Sequence, residues 1–257
     1  MPEYTDHHGP EGLRTRGTVI VVPGRGETRE TYRRLGGRLA ADAYRVRVID
    51  APDLAAGDPT GQLAALDARL AAAVEGAAGQ DGVVRPVVLV GADSGALAVA
   101  ALLGSAAAPA AARPDAVVLA GLPGHTATGA GADTWEEELD IRTSCPAHRG
   151  TLTEDARVRR GSLQEALPGV LFSAAYRSEA GVPALLLIGD ADPLADHDAL
   201  GRVAKSLPRA RLCIVRGGHH DVLNDLQHRS VAAEIVTFLE TLRNGLVPLV
   251  TVQTSTW

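Results

Sequence analysis

Three short stretches of this 257-residue chain carry side chains that could do chemistry together. Gly91-Ala92-Asp93-Ser94-Gly95 follows an apolar run at 87–90 and leads into a series of small residues. Gly189-Asp190-Ala191-Asp192-Pro193-Leu194 follows a second apolar run, and Gly217-Gly218-His219-His220-Asp221-Val222-Leu223-Asn224-Asp225 follows a third. A carboxylate or hydroxyl at the apex of a sharp strand-to-helix turn is presented for nucleophilic attack. A carboxylate just past another strand can accept a hydrogen bond from an imidazole, and the imidazole can then move protons. Nucleophile, acid and histidine, in that chain order, are the parts of a hydrolytic triad.

The turn at 91–95 can be read in two registers. With Gly91 and Gly95 as the small flanks, the apex is Asp93; with Ala92 and Ala96, it is Ser94. Glycine tolerates a strained turn better than alanine, and the four apolar residues before Gly91 fill the strand with no spare position. Both points favour Asp93. An aspartate that merely caps the following helix is the structural alternative.

Positioning these stretches requires strands that end on one side of a sheet. Residues 18–23, 45–49, 86–91, 115–121, 182–189 and 210–215 are short, rich in Val, Ile and Leu, and bounded by Gly, Pro or charge. Most lack a polar alternate face, as parallel strands covered on both sides should. Helical candidates lie between them at 28–41, 59–78, 94–107, 196–206 and 230–244, with Thr28 and Ser230 as N-caps and Gly245 at a C-cap. The order predicts an α/β fold with a doubly wound, mostly parallel sheet, whose chemistry gathers at the carboxyl ends of the strands. The expected organisation is a flexible N-terminal tail (1–16), a core (17–123 and 182–245), a lid inserted at 124–181 and a C-terminal tail (246–257). Within the insertion, the Gly/Ala-rich stretch 123–132 reads as a mobile connector.

Composition narrows the partners. Net charge is −6 and no run of Lys or Arg exceeds two, which argues against nucleic acid or an anionic membrane and for a small-molecule substrate. Apolar residues make up 46% but aromatics only 3%, so the core must be built from Val, Leu and Ala. Cys145 and Cys213 have no metal-ligand spacing around them, and the His7–His8 pair reads as solvated tail. No metal or cofactor is expected. The first residues lack the pattern of a signal peptide, and no segment has the roughly 20 apolar residues that span a bilayer. The expected location is the cytoplasm. Oligomeric state is left open.

Residues 18–245 resemble the α/β-hydrolases. Val-Pro-Gly-Arg-Gly (22–26) stands where that family's oxyanion loop lies, 91–95 at its nucleophile elbow and 189–194 at its acid loop, while 217–225 is similar to the histidine loop of lysophospholipase-like members. The resemblance implies Asp192 as the acid, with Asp190 the alternative, and His220 rather than His219 as the histidine. It implies the backbone N–H groups of Arg25 and Ser94 as the oxyanion hole.

A serine elbow performs acyl transfer, whereas an aspartate elbow resembles the epoxide hydrolases and haloalkane dehalogenases, in which an ionised carboxylate attacks saturated carbon. His220 would then activate the water that hydrolyses the alkyl-enzyme ester. The two lid tyrosines of the epoxide hydrolases have one counterpart here, Tyr176, and the halide donors of the dehalogenases have one, Trp135. His125, Arg142, His148 and Arg149 are further possible donors, with salt-bridged or solvated roles as the alternative. Cys145, a possible thiol nucleophile, has no elbow signature. Three functions follow: an epoxide-hydrolase-like enzyme using Asp93, a serine esterase or lysophospholipase using Ser94, and a non-hydrolytic enzyme or ligand-binding protein on the same fold.

Overall fold

The computed structural model describes residues 4–54, 58–79, 82–104, 114–125, 131–177 and 181–255. Seven strands form one sheet in the order β1-β3-β2-β4-β5-β6-β7. They are β1 (Tyr4–His7), β2 (Gly17–Val22), β3 (Tyr44–Ile49), β4 (Val87–Ala92), β5 (Ala116–Ala120), β6 (Ala184–Gly189) and β7 (Ala210–Val215). All pairings are parallel except β1 with β3. Every residue of β2, β4, β5 and β6 is buried, which explains the absence of a polar alternate face in their sequences.

Helices cover both faces. On one, α2 (Pro59–Gly76), α3 (Asp93–Gly104), α6 (Gly169–Tyr176) and α7 (His197–Ser206) pack side chains such as Leu66, Leu97, Phe172 and Leu200 against Ile20, Leu89 and Leu186. On the other, α1 (Arg33–Ala41) and α8 (His228–Arg243) set Leu35, Leu39, Ile235 and Leu239 against Val19, Val88 and Leu185. The scarcity of aromatics is met by alanine: α3 is buried almost all round, and its small side chains bring it close to the sheet.

Several expectations need correction. Residues 4–7, assigned to the tail, form the edge strand β1; Arg47 pairs with Asp6 at 2.7 Å and lies over the Tyr4 ring, so polar side chains hold this strand. His7, expected in solvated loop, packs against Gly36. The first helix is shorter than 28–41, since Thr28 caps a 3₁₀ turn at Arg29–Tyr32 that precedes α1. Ser230 is not an N-cap, because α8 begins at His228, whereas Gly245 takes the left-handed conformation that ends a helix. The insertion is also smaller than 124–181. Its last helix, α6, is the crossover that parallel β5 and β6 require, and it packs into the core beside α3. What lies outside the sheet layers is α4 (Trp135–Arg142), α5 (Pro146–Glu154) and the segment to residue 165. Residues 126–130 of the connector expected at 123–132, and residues 105–107 of the helix expected at 94–107, lie outside the described residues. Among the described residues, no helix is long and apolar enough to cross a membrane.

Candidate active site

The turn between β4 and α3 is an elbow with Asp93 at its apex. Asp93 has φ of 44°, a left-handed conformation that costs an L-residue energy. Its flanks leave no room for side chains. A Cβ on Gly95 would lie 2.4 Å from the Val22 carbonyl oxygen, and one on Gly91 would lie 2.6 Å from the Ala96 Cα. Close backbone approach therefore enforces the glycine-flanked register. Ser94 falls in the first turn of α3, fully buried, and its Oγ has no hydrogen-bond partner among the described residues.

The loops after β6 and β7 bring two partners to Asp93. His220 Nε2 lies 3.1 Å from Asp93 Oδ1, an ion-pair distance, but the approach is too oblique for a hydrogen bond. On the other side of the ring, His220 Nδ1 lies 3.0 Å from Asp192 Oδ2. Asp192 Oδ1 accepts the Leu194 N–H at 2.9 Å, which fixes the carboxylate. All three side chains are buried. The alternatives go elsewhere: Asp190 accepts the Gly217 N–H at 2.6 Å, and His219 Nδ1 lies 2.9 Å from Asp225. The insertion helps hold the histidine loop, for the N–H groups of His220 and Asp221 donate to the carbonyls of Ile141 and Arg142 at 3.2 and 2.8 Å.

Arg25 does more than its sequence position suggested. Its backbone N–H, expected in the oxyanion hole, donates to Asp93 Oδ2 at 2.9 Å. Its buried guanidinium adds Nε to Oδ2 and Nη2 to Oδ1, each at 2.9 Å, and its Nη1 donates to the carbonyls of Leu163 and Glu165 at 3.3 and 2.8 Å. Burial raises the Asp93 pKa, but the Arg25 charge and His220 outweigh it and hold the carboxyl well below its ordinary range. Burial likewise disfavours the charged form of His220, yet the carboxylates of Asp192 and Asp93 prevail and lift its pKa to about 10. At neutral pH the site is an imidazolium between two carboxylates.

A second buried cluster adjoins this one; the sequence reading named Arg142 and His148 as possible donors, and they are ion-paired here instead, while Glu27, Glu138 and Asp221 went unnamed. Arg142, completely buried, donates from Nε and Nη2 to Glu138 Oε1 at 3.1 and 2.9 Å, and from Nη2 to the Arg25 carbonyl and Ser162 Oγ, each at 2.9 Å. Its Nη1 lies 3.5 Å from Asp221 Oδ1, while His148 Nε2 lies 2.8 Å from Asp221 Oδ2. Glu27 Oε2 accepts from the Gly24 N–H at 2.8 Å and from the Tyr32 hydroxyl. Burial, reinforced by the charge of Asp221, raises the Glu27 pKa to about 8 despite Arg142. Glu27, His148 and Asp221 offer ligand atoms within 4.8 Å of one another. These atoms are already engaged, and Arg142 brings the positive charge that a metal ion would bring. The signal available in the sequence was a pair of polar residues beside the motifs: Glu27 directly follows the 22–26 loop, and Asp221 directly follows His220.

The expected donors in the insertion do not reach Asp93. The Tyr176 hydroxyl donates to the Pro123 carbonyl at 2.9 Å, and Trp135 Nε1 to Thr153 Oγ1 at 3.3 Å. Arg149 pairs with Glu136 and Asp140, His125 is exposed against Phe172, and the Cys145 thiol is buried beside Arg34. The cavity at Asp93 has a volume of about 10 Å³. A groove of about 390 Å³ lies on the far side of Glu27, between Asp50–Asp53 and Arg157–Arg159. A larger one, about 750 Å³, is at the opposite end of the sheet, between Arg85, Pro183 and the C-terminal tail, remote from this chemistry.

Comparison with known proteins agrees with the architecture. The chain is similar in structure to a monoglyceride lipase from Saccharomyces cerevisiae (TM-score 0.70, 15% identity, 93% of this chain and 91% of that one). It is also similar to the Paleococcus ferrophilus monoacylglycerol lipase (TM-score 0.66, 19% identity, 92% and 97%). A third likeness is to the type II thioesterase of the yersiniabactin NRPS/PKS pathway (TM-score 0.58, 18% identity, 91% and 97%). A search of curated proteins by sequence gave no match. The sequence profile of the Alpha/beta hydrolase family matches residues 19–234, most of the chain and every loop of the site, and the protein belongs to that family as an α/β-fold hydrolase.

Proposed function

We propose that this hydrolase uses Asp93 as a nucleophile on an electrophilic carbon of a small molecule, an epoxide being the substrate class. The observation that carries this reading is the placement of His220: its Nε2 is 3.1 Å from Asp93 Oδ1, whereas Ser94 Oγ, the acyl-transfer alternative, is buried with no partner.

The proton balance closes within the triad. Asp93 attacks the epoxide carbon, the C–O bond breaks, and the alkoxide takes the proton of the His220 imidazolium. No tyrosine in the insertion is needed as donor. Alkylation removes the charge of Asp93, so His220 keeps one counterion instead of two and becomes a base. Neutral His220 takes a proton from water as its oxygen adds to the Asp93 carbonyl carbon. The tetrahedral intermediate collapses, the diol leaves with a proton, and Asp93 returns its remaining proton to His220. Asp192 holds the ring through Nδ1 at every stage.

The arrangement is a closed one, since a cavity of about 10 Å³ admits no organic substrate. Arg25 joins Asp93 to the carbonyls of Leu163 and Glu165, so the same guanidinium must yield and residues 159–165 must move, which makes this segment the lid. The 390 Å³ groove across Glu27 is of a size to hold the rest of a small substrate.

A single turnover of styrene oxide in oxygen-18 water tests the reading without removing His220, which serves as the acid of the first step and the base of the second. The label is expected in the Asp93 carboxylate and not in the diol released. Label in the diol with none at Asp93 would sink the proposal.

A further inference from the structure

The small cavity beside the triad has its own polar walls. Asp93, His220, Asn224, Glu27, Tyr32 and Asp221 all line it. Two buried polar atoms of these lining residues have no hydrogen-bond partner among the described residues, Asn224 Oδ1 and His220 Nε2. Buried polar groups are rarely left unmatched in folded proteins, and a cavity of about 10 Å³ is at the lower limit of the space that seats one water molecule. The backbone of Asn224 is independently fixed, its N–H donating to the Asp221 carbonyl at 2.8 Å and its carbonyl accepting from Arg34 at 2.7 Å. The side-chain Oδ1 is the polar atom left without a partner among the described residues.

We infer that this cavity is the seat of the hydrolytic water and that Asn224 is its positioning residue. The inference rests on Asp93 as the nucleophile. A water that attacks an ester needs two acceptors for its hydrogens, so that a lone pair is left facing the carbonyl carbon. Asn224 Oδ1 is an acceptor that does not titrate, and His220 Nε2 becomes the second once its proton has gone to the alkoxide. The water oxygen then bonds to the Asp93 carboxyl carbon, its proton passes to Nε2, and the bond from that carbon to the alkyl oxygen breaks as that oxygen takes the proton back from Nε2. The oblique setting of Nε2 towards Asp93 Oδ1 suits this role, because the nitrogen is not committed to the carboxylate.

Two measurements test it. A crystal structure at high resolution is expected to show one ordered water within hydrogen-bond distance of both Asn224 Oδ1 and His220 Nε2; a cavity filled by a side chain, or a water bonded to neither atom, overturns the inference whatever the chemistry. In single turnovers with styrene oxide, Asn224→Leu is expected to alkylate Asp93 within twofold of the parent rate but to hydrolyse the ester about 10- to 100-fold more slowly, so that adduct accumulates. A merely structural defect would slow both steps. Hydrolysis at the parent rate in Asn224→Leu, with oxygen-18 from water still entering Asp93 in the parent enzyme, defeats the role of Asn224 and leaves the nucleophile standing. No oxygen-18 at Asp93 after a single turnover of the parent enzyme defeats the nucleophile, and the hydrolytic role of the water with it.

Discussion

Two buried guanidinium groups, Arg25 and Arg142, meet where the Arg25 carbonyl accepts from Arg142, yet their surroundings differ in kind. Arg142 is matched on every side by Glu138, Asp221, Ser162 and a carbonyl, and its carboxylate partners sit on α4 and in the His220 loop. Arg25 grips a carboxylate on a strained turn, beside a histidine nitrogen without a hydrogen bond and a cavity of one water's volume. Ionic type does not separate the two clusters, since both combine arginine, carboxylates and histidine. Completeness of pairing does. The satisfied network holds the insertion to the core, and the unsatisfied one is where the proposed reaction would proceed.

The division can be broken or sharpened by substitution. The largest effect is expected from Asp93→Asn, which removes the nucleophilic charge and should lower turnover by about 10³-fold or more, measured as kcat on an epoxide probe. Arg142→Met should act on stability: it leaves Glu138 and Asp221 buried with less compensation, at about 3–5 kcal/mol. For a chain of this size that lowers Tm by roughly 6–20 °C. Calorimetry checks this, and a fully stable Arg142→Met variant without activity would show that the two clusters are not divided as described.

A smaller effect concerns pH. Glu27 keeps its proton up to about pH 8 in the folded chain, against an ordinary value of 4.5, so the native state binds a proton that the unfolded chain releases between those values. Its contribution is complete below the lower value and is lost as pH rises towards the upper one. Glu27→Gln carries no titrating group and should flatten the fall in stability between pH 5 and 8, read from denaturant midpoints. The smallest effect belongs to Ser94→Ala, which keeps the backbone N–H and deletes an unpartnered hydroxyl. Epoxide turnover within about twofold and stability within about 1 kcal/mol are expected; abolished activity would move the nucleophile to Ser94.

How much of this was legible in the sequence depends on the range of the interaction concerned. The elbow could be read because its constraint is local: Gly91 and Gly95 answer to backbone atoms within one turn and to the adjacent strand. The acid and histidine loops could be read because each directly follows an apolar strand. The grip of Arg25 on Asp93 could not, because it joins positions 68 residues apart and arginine occurs throughout the chain. Strand β1 escaped because an edge strand held by Arg47 through Asp6 and Tyr4 has no apolar alternation to show. Helix α4 left signals that went unread: Thr134 and Glu137 form a reciprocal cap, the Thr134 side chain accepting from the Glu137 N–H and Glu137 from the Thr134 N–H. Helix α6 is apolar enough to be a core helix, but its place after a long polar segment hid it within the insertion.

The two backbone hydrogen bonds from the histidine loop to the end of α4 bear on how such a chain can be diversified. A cover attached only at its two chain ends could be exchanged for another while the machinery beneath stayed as it was. Here the carbonyls of Ile141 and Arg142 are part of the mount of His220, so the insertion and the histidine loop form one mechanical unit. Grafting a foreign insertion between β5 and β6 would change what the pocket admits and, by the same act, unseat the imidazole. On the proposed mechanism, selectivity and proton transfer are inherited together.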